Sequence, residues 1–155
     1  MKVMFKRQKS GFGFSLIELL VVISIIGILV ALSAFGFQNS RSVARDARRK
    51  ADIEQIRAAL ELYKADCGDY PAAVVAASQI VGDGTPASCS ASNIYLDPVP
   101  DDPIKERDYI YGNNPRTSYE LCASLETGSG SLPVSCAGFS ECGTGFTCNY
   151  KKVQP

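Results

Sequence analysis

One carboxylate stands inside an apolar run. In KSGFGFSLIELLVVISIIGILVALSAF, Lys9 to Phe35, Glu18 is the only charged side chain after Lys9. A carboxylate at bilayer depth costs ~2.5–3.5 kcal/mol on insertion scales and by default marks function. The other reactive set is six cysteines, Cys67, Cys89, Cys122, Cys136, Cys142 and Cys148, all in the polar part of the chain. The chain has no His and no C-x-x-C pair, which weighs against a zinc site. An even cysteine count reads instead as disulfides in an oxidising compartment. Without His, no nucleophile–base pair can be proposed, and no catalytic residue is expected. The stretch Gly11 to Ser15 lacks the spacing and the Lys-Ser/Thr of a phosphate loop. Asp97, Asp101, Asp102 and Asp108 read as turn formers beside proline rather than as a cation site. No cofactor and no metal are expected.

These groups need elements to hold them. The first 13 residues carry Lys2, Lys6, Arg7 and Lys9 and no acid, so the remainder of this formally neutral chain is net −4. That balance gives no nucleic-acid surface. Phe14 to Phe37 is a 24-residue span charged only at Glu18. As a helix it would be ~36 Å long, against a ~30 Å hydrocarbon core, and it is too long for the ~7–15-residue apolar region of a cleaved secretory signal. Basic side chains crowd both flanks, with Arg41, Arg45, Arg48, Arg49 and Lys50 after the span. Charge alone therefore leaves the orientation open, and the cysteines place the C-terminal part outside.

From Gln38 to Asp66 there is no Pro or Gly, and Ile53, Ile56, Leu60 and Tyr63 recur at helical spacing. Asp46–Lys50, Arg48–Asp52 and Arg57–Glu61 are opposite charges four apart, suited to a solvated helix face. Cys67-Gly68, then Pro71, stops the helix. The spacing thus predicts one helix over 14–66, apolar all round in its first half and amphipathic in its second. In the segment that follows, AAVVAASQIV reads as a short helix and LDPVPDDP as a turn-rich connector. RDYIYGNNPRTSYELCASLE reads as a β-hairpin, with Tyr119, Leu121, Ala123 and Leu125 on the face that rests on the helix stripe. Cys122 falls on the other face, and FTCNYK adds a last strand. The fold class is α+β: a long N-terminal helix packed against a small antiparallel sheet.

Gly13-Phe14-Ser15-Leu16-Ile17-Glu18 resembles the signature of type IV prepilins, shared by type IV pilins and type II secretion pseudopilins. Residues 48–71 resemble the end of the pseudopilin helix, and residues 95–126 are similar to the major pseudopilin, with its Asp-Pro step and Tyr-rich hairpin. The resemblance implies the type IV pilin fold and cleavage by prepilin peptidase between Gly13 and Phe14, followed by N-methylation of Phe14. It divides the chain into a leader (1–13), a transmembrane and filament-core helix segment (14–37), an amphipathic helix segment (38–66) and a disulfide-stapled head (67–155). It implies a helical homopolymer in which Glu18 of an incoming subunit neutralises the α-amine of a neighbour's Phe14. Further implied partners are an assembly platform and minor pilins or pseudopilins. The subunit would sit in the bacterial inner membrane before assembly, then in a pseudopilus in the periplasm or a pilus at the cell surface. Both filament types remain open, as does a non-polymerising anchor displaying a disulfide-rich binding domain.

Three departures stand out. Phe35-Gly36 replaces the Pro common in the family helix. The family's calcium is held by an acid-bearing C-terminal loop, whereas residues 127–148 offer Glu141 alone. The six cysteines are unlike the typical major pseudopilin. Of the ~15 pairings that six cysteines allow, the expected set is Cys67–Cys89, Cys122–Cys148 and Cys136–Cys142.

Overall fold

The computed structural model describes residues 13–113, 115–127 and 133–154, with the backbone alone at 34–36 and 38. The leader before Gly13 and the side-chain role of Phe35-Gly36 lie outside the described residues. A single helix, α1, runs Leu16–Cys67 over 52 residues. The Pro-free sequence after Gln38 allows its length, and Gly68 ends it in the left-handed region (φ 88°) with its N–H on the carbonyl of Lys64 at 2.8 Å. The chain divides into two units, residues 1–40 and 41–155.

In the first unit the helix is apolar on every side and exposed on every side. The stretch Leu16–Ser33 has mean hydropathy 2.8, long and apolar enough to cross a membrane. Its two hydroxyls are satisfied within the helix: Ser24 Oγ donates to the Leu20 carbonyl at 2.7 Å and Ser33 Oγ to that of Leu29 at 2.8 Å.

In the second unit the strands are β1 (Ile80–Val81), β2 (Ile94–Leu96), β3 (Ile110–Gly112), β4 (Glu120–Ala123) and β5 (Tyr150–Val153). β1 and β2 pair antiparallel. β3, β4 and β5 form an antiparallel sheet in that order, with Tyr111 opposite Leu121 and Ala123 opposite Tyr150. The fold is α+β and pilin-like. The helix stripe Ile53, Ile56, Leu60 and Tyr63 is buried against Tyr119, Leu121 and Ala123, and each large aliphatic buried there stabilises by ~1.5–3 kcal/mol. Leu125 is buried as well. Tyr70 and Tyr119 meet edge to face at 4.7 Å, and both hydroxyls donate to Glu61.

Two expectations fail here. Residues 72–79 form turns rather than a helix. Ala77 takes a left-handed φ of 58°, its N–H bonds the Val99 carbonyl at 3.0 Å, and the Val99 N–H bonds that of Ser78 at 2.7 Å. These bonds to the connector replace the helix ladder and deliver Ile80 to its partner Leu96. The helix charges also differ from a solvated ladder. Arg57 pairs with Glu54 at 3.0 Å, while Glu61 serves the two tyrosines. Asp46 and Arg49 are buried; of the three expected pairs, Arg48–Asp52 is present at 3.8 Å, with Arg48 exposed.

Candidate functional site

The N-terminal residues come first. Gly13 and Phe14 precede α1, and Phe14 is 78% exposed. Glu18 lies in the first helical turn, beside the positive end of the helix dipole. It is exposed, as are Leu16, Ile17, Leu19 and Leu20 around it. So large an apolar surface is stable only when lipid or other helices cover it.

The second constellation was not expected from sequence. Arg49 lies on the apolar stripe, four residues before Ile53, and is 0% exposed. Its guanidinium grips Asp102 with two bonds, Nε to Oδ2 at 2.7 Å and Nη2 to Oδ1 at 2.9 Å. Its Nη1 donates to Asp46 at 2.8 Å and to Glu126 at 2.7 Å. Asp46 also accepts from the backbone N–H groups of Glu126 and Thr127 and from the Thr127 hydroxyl. Arg45 closes the set with a two-pronged grip on Glu126.

Charge and burial oppose one another in this clasp. Burial disfavours the Arg49 cation, but Asp102, Glu126 and Asp46 outweigh it and raise its pKa. Burial also disfavours the Asp46 carboxylate, and its donors from Thr127 and Glu126 outweigh that and lower its pKa. The hydrogen bond from Arg45 is the largest influence on Glu126, whose pKa falls to about 2. The clasp joins α1 to the 97–103 connector and to the end of the hairpin, so it fixes how the head sits on its own stretch of helix. The available signal was a charged residue recurring in register with an apolar stripe, which marks a buried partnered charge.

The four aspartates do not converge. Asp97 accepts from Gln79 Nε2 at 2.6 Å, Asp101 from the amide of Asp102 at 2.9 Å, and Asp102 belongs to the clasp. At Asp108 the backbone amide donates to the Cys142 carbonyl at 3.3 Å.

All six cysteines are paired: Cys67–Cys89, Cys122–Cys136 and Cys142–Cys148. The first is the expected bond and ties the end of α1 to the loop before β2. The expected Cys122–Cys148 and Cys136–Cys142 pairs are replaced. In the β4–β5 register Cys122 lies opposite Lys151, which leaves Cys148 three residues, roughly 10 Å, away along the strand direction. A disulfide needs Cα atoms within ~7 Å. The tight turn with Cys142 N–H on the Phe146 carbonyl at 2.7 Å instead brings Cys142 to 5.0 Å from Cys148. Cys136 is then left for Cys122.

Comparison with known proteins adds two matches to family models. Residues 7–34 match the prokaryotic N-terminal methylation motif, and residues 37–129 match type II secretion system protein G. Among curated proteins, the chain is 44% identical over 66 residues to type II secretion system core protein G of Pseudomonas aeruginosa, covering 43% of this chain and 45% of the relative. It is 37% identical over 65 residues to the protein of that name from Klebsiella michiganensis, covering 42% and 46%. To that of Aeromonas hydrophila it is 33% identical over 101 residues, covering 63% and 69%. The chain thus spans a little under half the length of the first two relatives. No solved structure matched.

Proposed function

Since the chain belongs to the type II secretion system protein G family, we propose that it is a structural subunit of a secretion pseudopilus. The carrying observation is the order Gly13-Phe14, then Glu18, at the head of a helix whose apolar surface is exposed on all sides, within the matched methylation motif. The chain enters the inner membrane through its apolar span with the head outside. Prepilin peptidase cuts between Gly13 and Phe14, and Phe14 is methylated on its new amine. The subunit then leaves lipid as its helix packs against those of other copies. Glu18 sets the register by pairing with a neighbour's Phe14 amine. Two opposite charges taken from water together offset costs that either alone would leave uncompensated. The contact is head to tail, so it propagates an open helical fibre.

In this reading residues 14–37 form the filament core, 38–66 carry the head, and 67–155 form it. Minor pseudopilins and an assembly platform are the other partners, and the subunit has no catalytic role. The relatives' names favour a pseudopilus over a pilus.

The test is Glu18→Ala in a host with prepilin peptidase and the assembly machinery. The variant is expected to be processed at Gly13 and to fail to form filaments. Normal assembly of the processed variant would refute the role given to Glu18.

A further inference from the structure

The family resemblance brings with it a calcium ion held by an acid-bearing C-terminal loop, and the residues present do not fit one. Calcium takes ~6–8 oxygens, usually with several carboxylates. After Glu126 the sequence offers only Glu141. Among the described residues, the group of acidic and thiol ligands close enough together to hold an ion is Cys67, Asp83 and Cys89, in which both cysteines are already joined to each other; the acids Asp46, Asp102 and Glu126 are taken up by Arg49. Several carbonyl oxygens of the lobe already accept hydrogen bonds. That of Cys148 accepts from Val134, that of Phe146 from Cys142, and that of Cys142 from Asp108.

Positive charge is already built into this lobe. Lys151 Nζ bonds Glu120 at 2.6 Å and the Ser135 carbonyl at 3.0 Å, tying β4, β5 and the 133–136 segment together as a bound cation would. Arg107 is 9% exposed, its Nη1 bonds the Ser124 carbonyl at 2.7 Å, and its guanidinium lies 4.3 Å from the Phe146 ring. Its Nε is buried without a partner.

Covalent bonds do the remaining work. Cys122–Cys136 and Cys142–Cys148 make a second buried cluster, with Ile110 and Val134 packed on it, on the side of the sheet away from the helix. At Gly143 (φ 108°) the loop within the Cys142–Cys148 ring lies directly on the backbone of Glu106 and Arg107, where a Cβ would collide.

We propose that this C-terminal lobe is fixed by two disulfides and by the hydrogen-bonded cations Lys151 and Arg107 in place of calcium, so that the head folds independently of calcium and dependently on thiol oxidation. Each bond forms as two thiols lose two protons and two electrons to a disulfide-bearing oxidant, whose own disulfide becomes a dithiol. The inference stands on residues of the head and does not need the filament reading.

The test uses the full mature chain in detergent micelles. Calorimetric titration of the oxidised chain with CaCl2 is expected to give no binding heat, and Tm is expected to be the same in millimolar CaCl2 and in EGTA. Dithiothreitol is expected to lower Tm by roughly 10 °C or more and to open residues 133–149 to proteolysis. Lys151→Gln, with all disulfides intact, is expected to raise proteolysis near Ser135 without creating calcium sensitivity. A rise in Tm with calcium, a fall with EGTA, or a reduced chain as stable and protease-resistant as the oxidised one would overturn the proposal. The N-terminus of the same preparation, read by mass spectrometry, reports on the filament reading separately.

Discussion

Replacing Arg49 by Met should destabilise the head by ~3–5 kcal/mol, the cost of removing one partner from a buried ion pair. The loss falls unevenly across the clasp. Asp46 would keep its donors from Glu126 and Thr127, and Glu126 would keep Arg45. Asp102, with a fully buried side chain, would keep only the amide of Ile104 among the described residues. The penalty is therefore concentrated on one carboxylate, and it is that carboxylate's desolvation rather than lost packing, since Met fills much of the same volume. The double variant Arg49→Met/Asp102→Leu should be more stable than Arg49→Met alone, because the uncompensated charge is gone. Asp102→Asn, which retains an acceptor, should cost about 1–3 kcal/mol. The assay is guanidinium unfolding of the mature chain in micelles with disulfides intact, followed by near-UV tyrosine circular dichroism. All seven tyrosines lie between Tyr63 and Tyr150 and there is no Trp, so the signal comes from the head and its stretch of helix. Arg49→Met within about 1 kcal/mol of the parent, or a double variant no more stable than the single, would refute the reasoning.

Acid should loosen the same clasp. The Glu126 pKa is held down at about 2, so its contribution is fully present above the ordinary carboxylate range and is lost as pH falls from ~4.5 towards 2. Glu126→Gln should cost about 1.5–3 kcal/mol at neutral pH and flatten this acid limb in part, since Asp46 is depressed in the same direction; an unchanged slope between pH 5 and about 2.5 counts against the clasp. Among the cross-links, Cys67–Cys89 closes a 22-residue separation and Cys142–Cys148 one of 6. On loop entropy alone, paired Cys→Ser variants should cost about 3 and about 2 kcal/mol respectively. A reversed order in chemical unfolding would show that local strain or packing, not loop closure, governs them.

The parts of the fold legible in sequence are those set by one-dimensional periodicity. Ile53, Ile56, Leu60 and Tyr63 announce the buried helix face, and the alternation Tyr119, Leu121, Ala123, Leu125 announces the strand face that meets it. The apolar span with Glu18 is legible for the same reason: length and charge content decide it. Arg49 was hidden because its partners Asp102 and Glu126 are more than 50 residues away in sequence, and local spacing suggested solvated pairs instead. The cysteine pairing depended on the β4–β5 register, which no spacing of cysteines encodes. Residues 72–79 carry helix-favouring alanines, yet their backbone bonds go to the connector through Ala77, Ser78 and Val99, a tertiary choice that local propensity does not contain.

In the proposed maturation the chain is cut between Gly13 and Phe14, which makes Glu18 its fifth residue. The most direct test of this cut is mass spectrometry of the chain recovered from a host that carries prepilin peptidase. The expected result is loss of residues 1–13 and an N-terminal peptide beginning at N-methylated Phe14. An intact Met1, or cleavage within Ala31–Ala34, would contradict it.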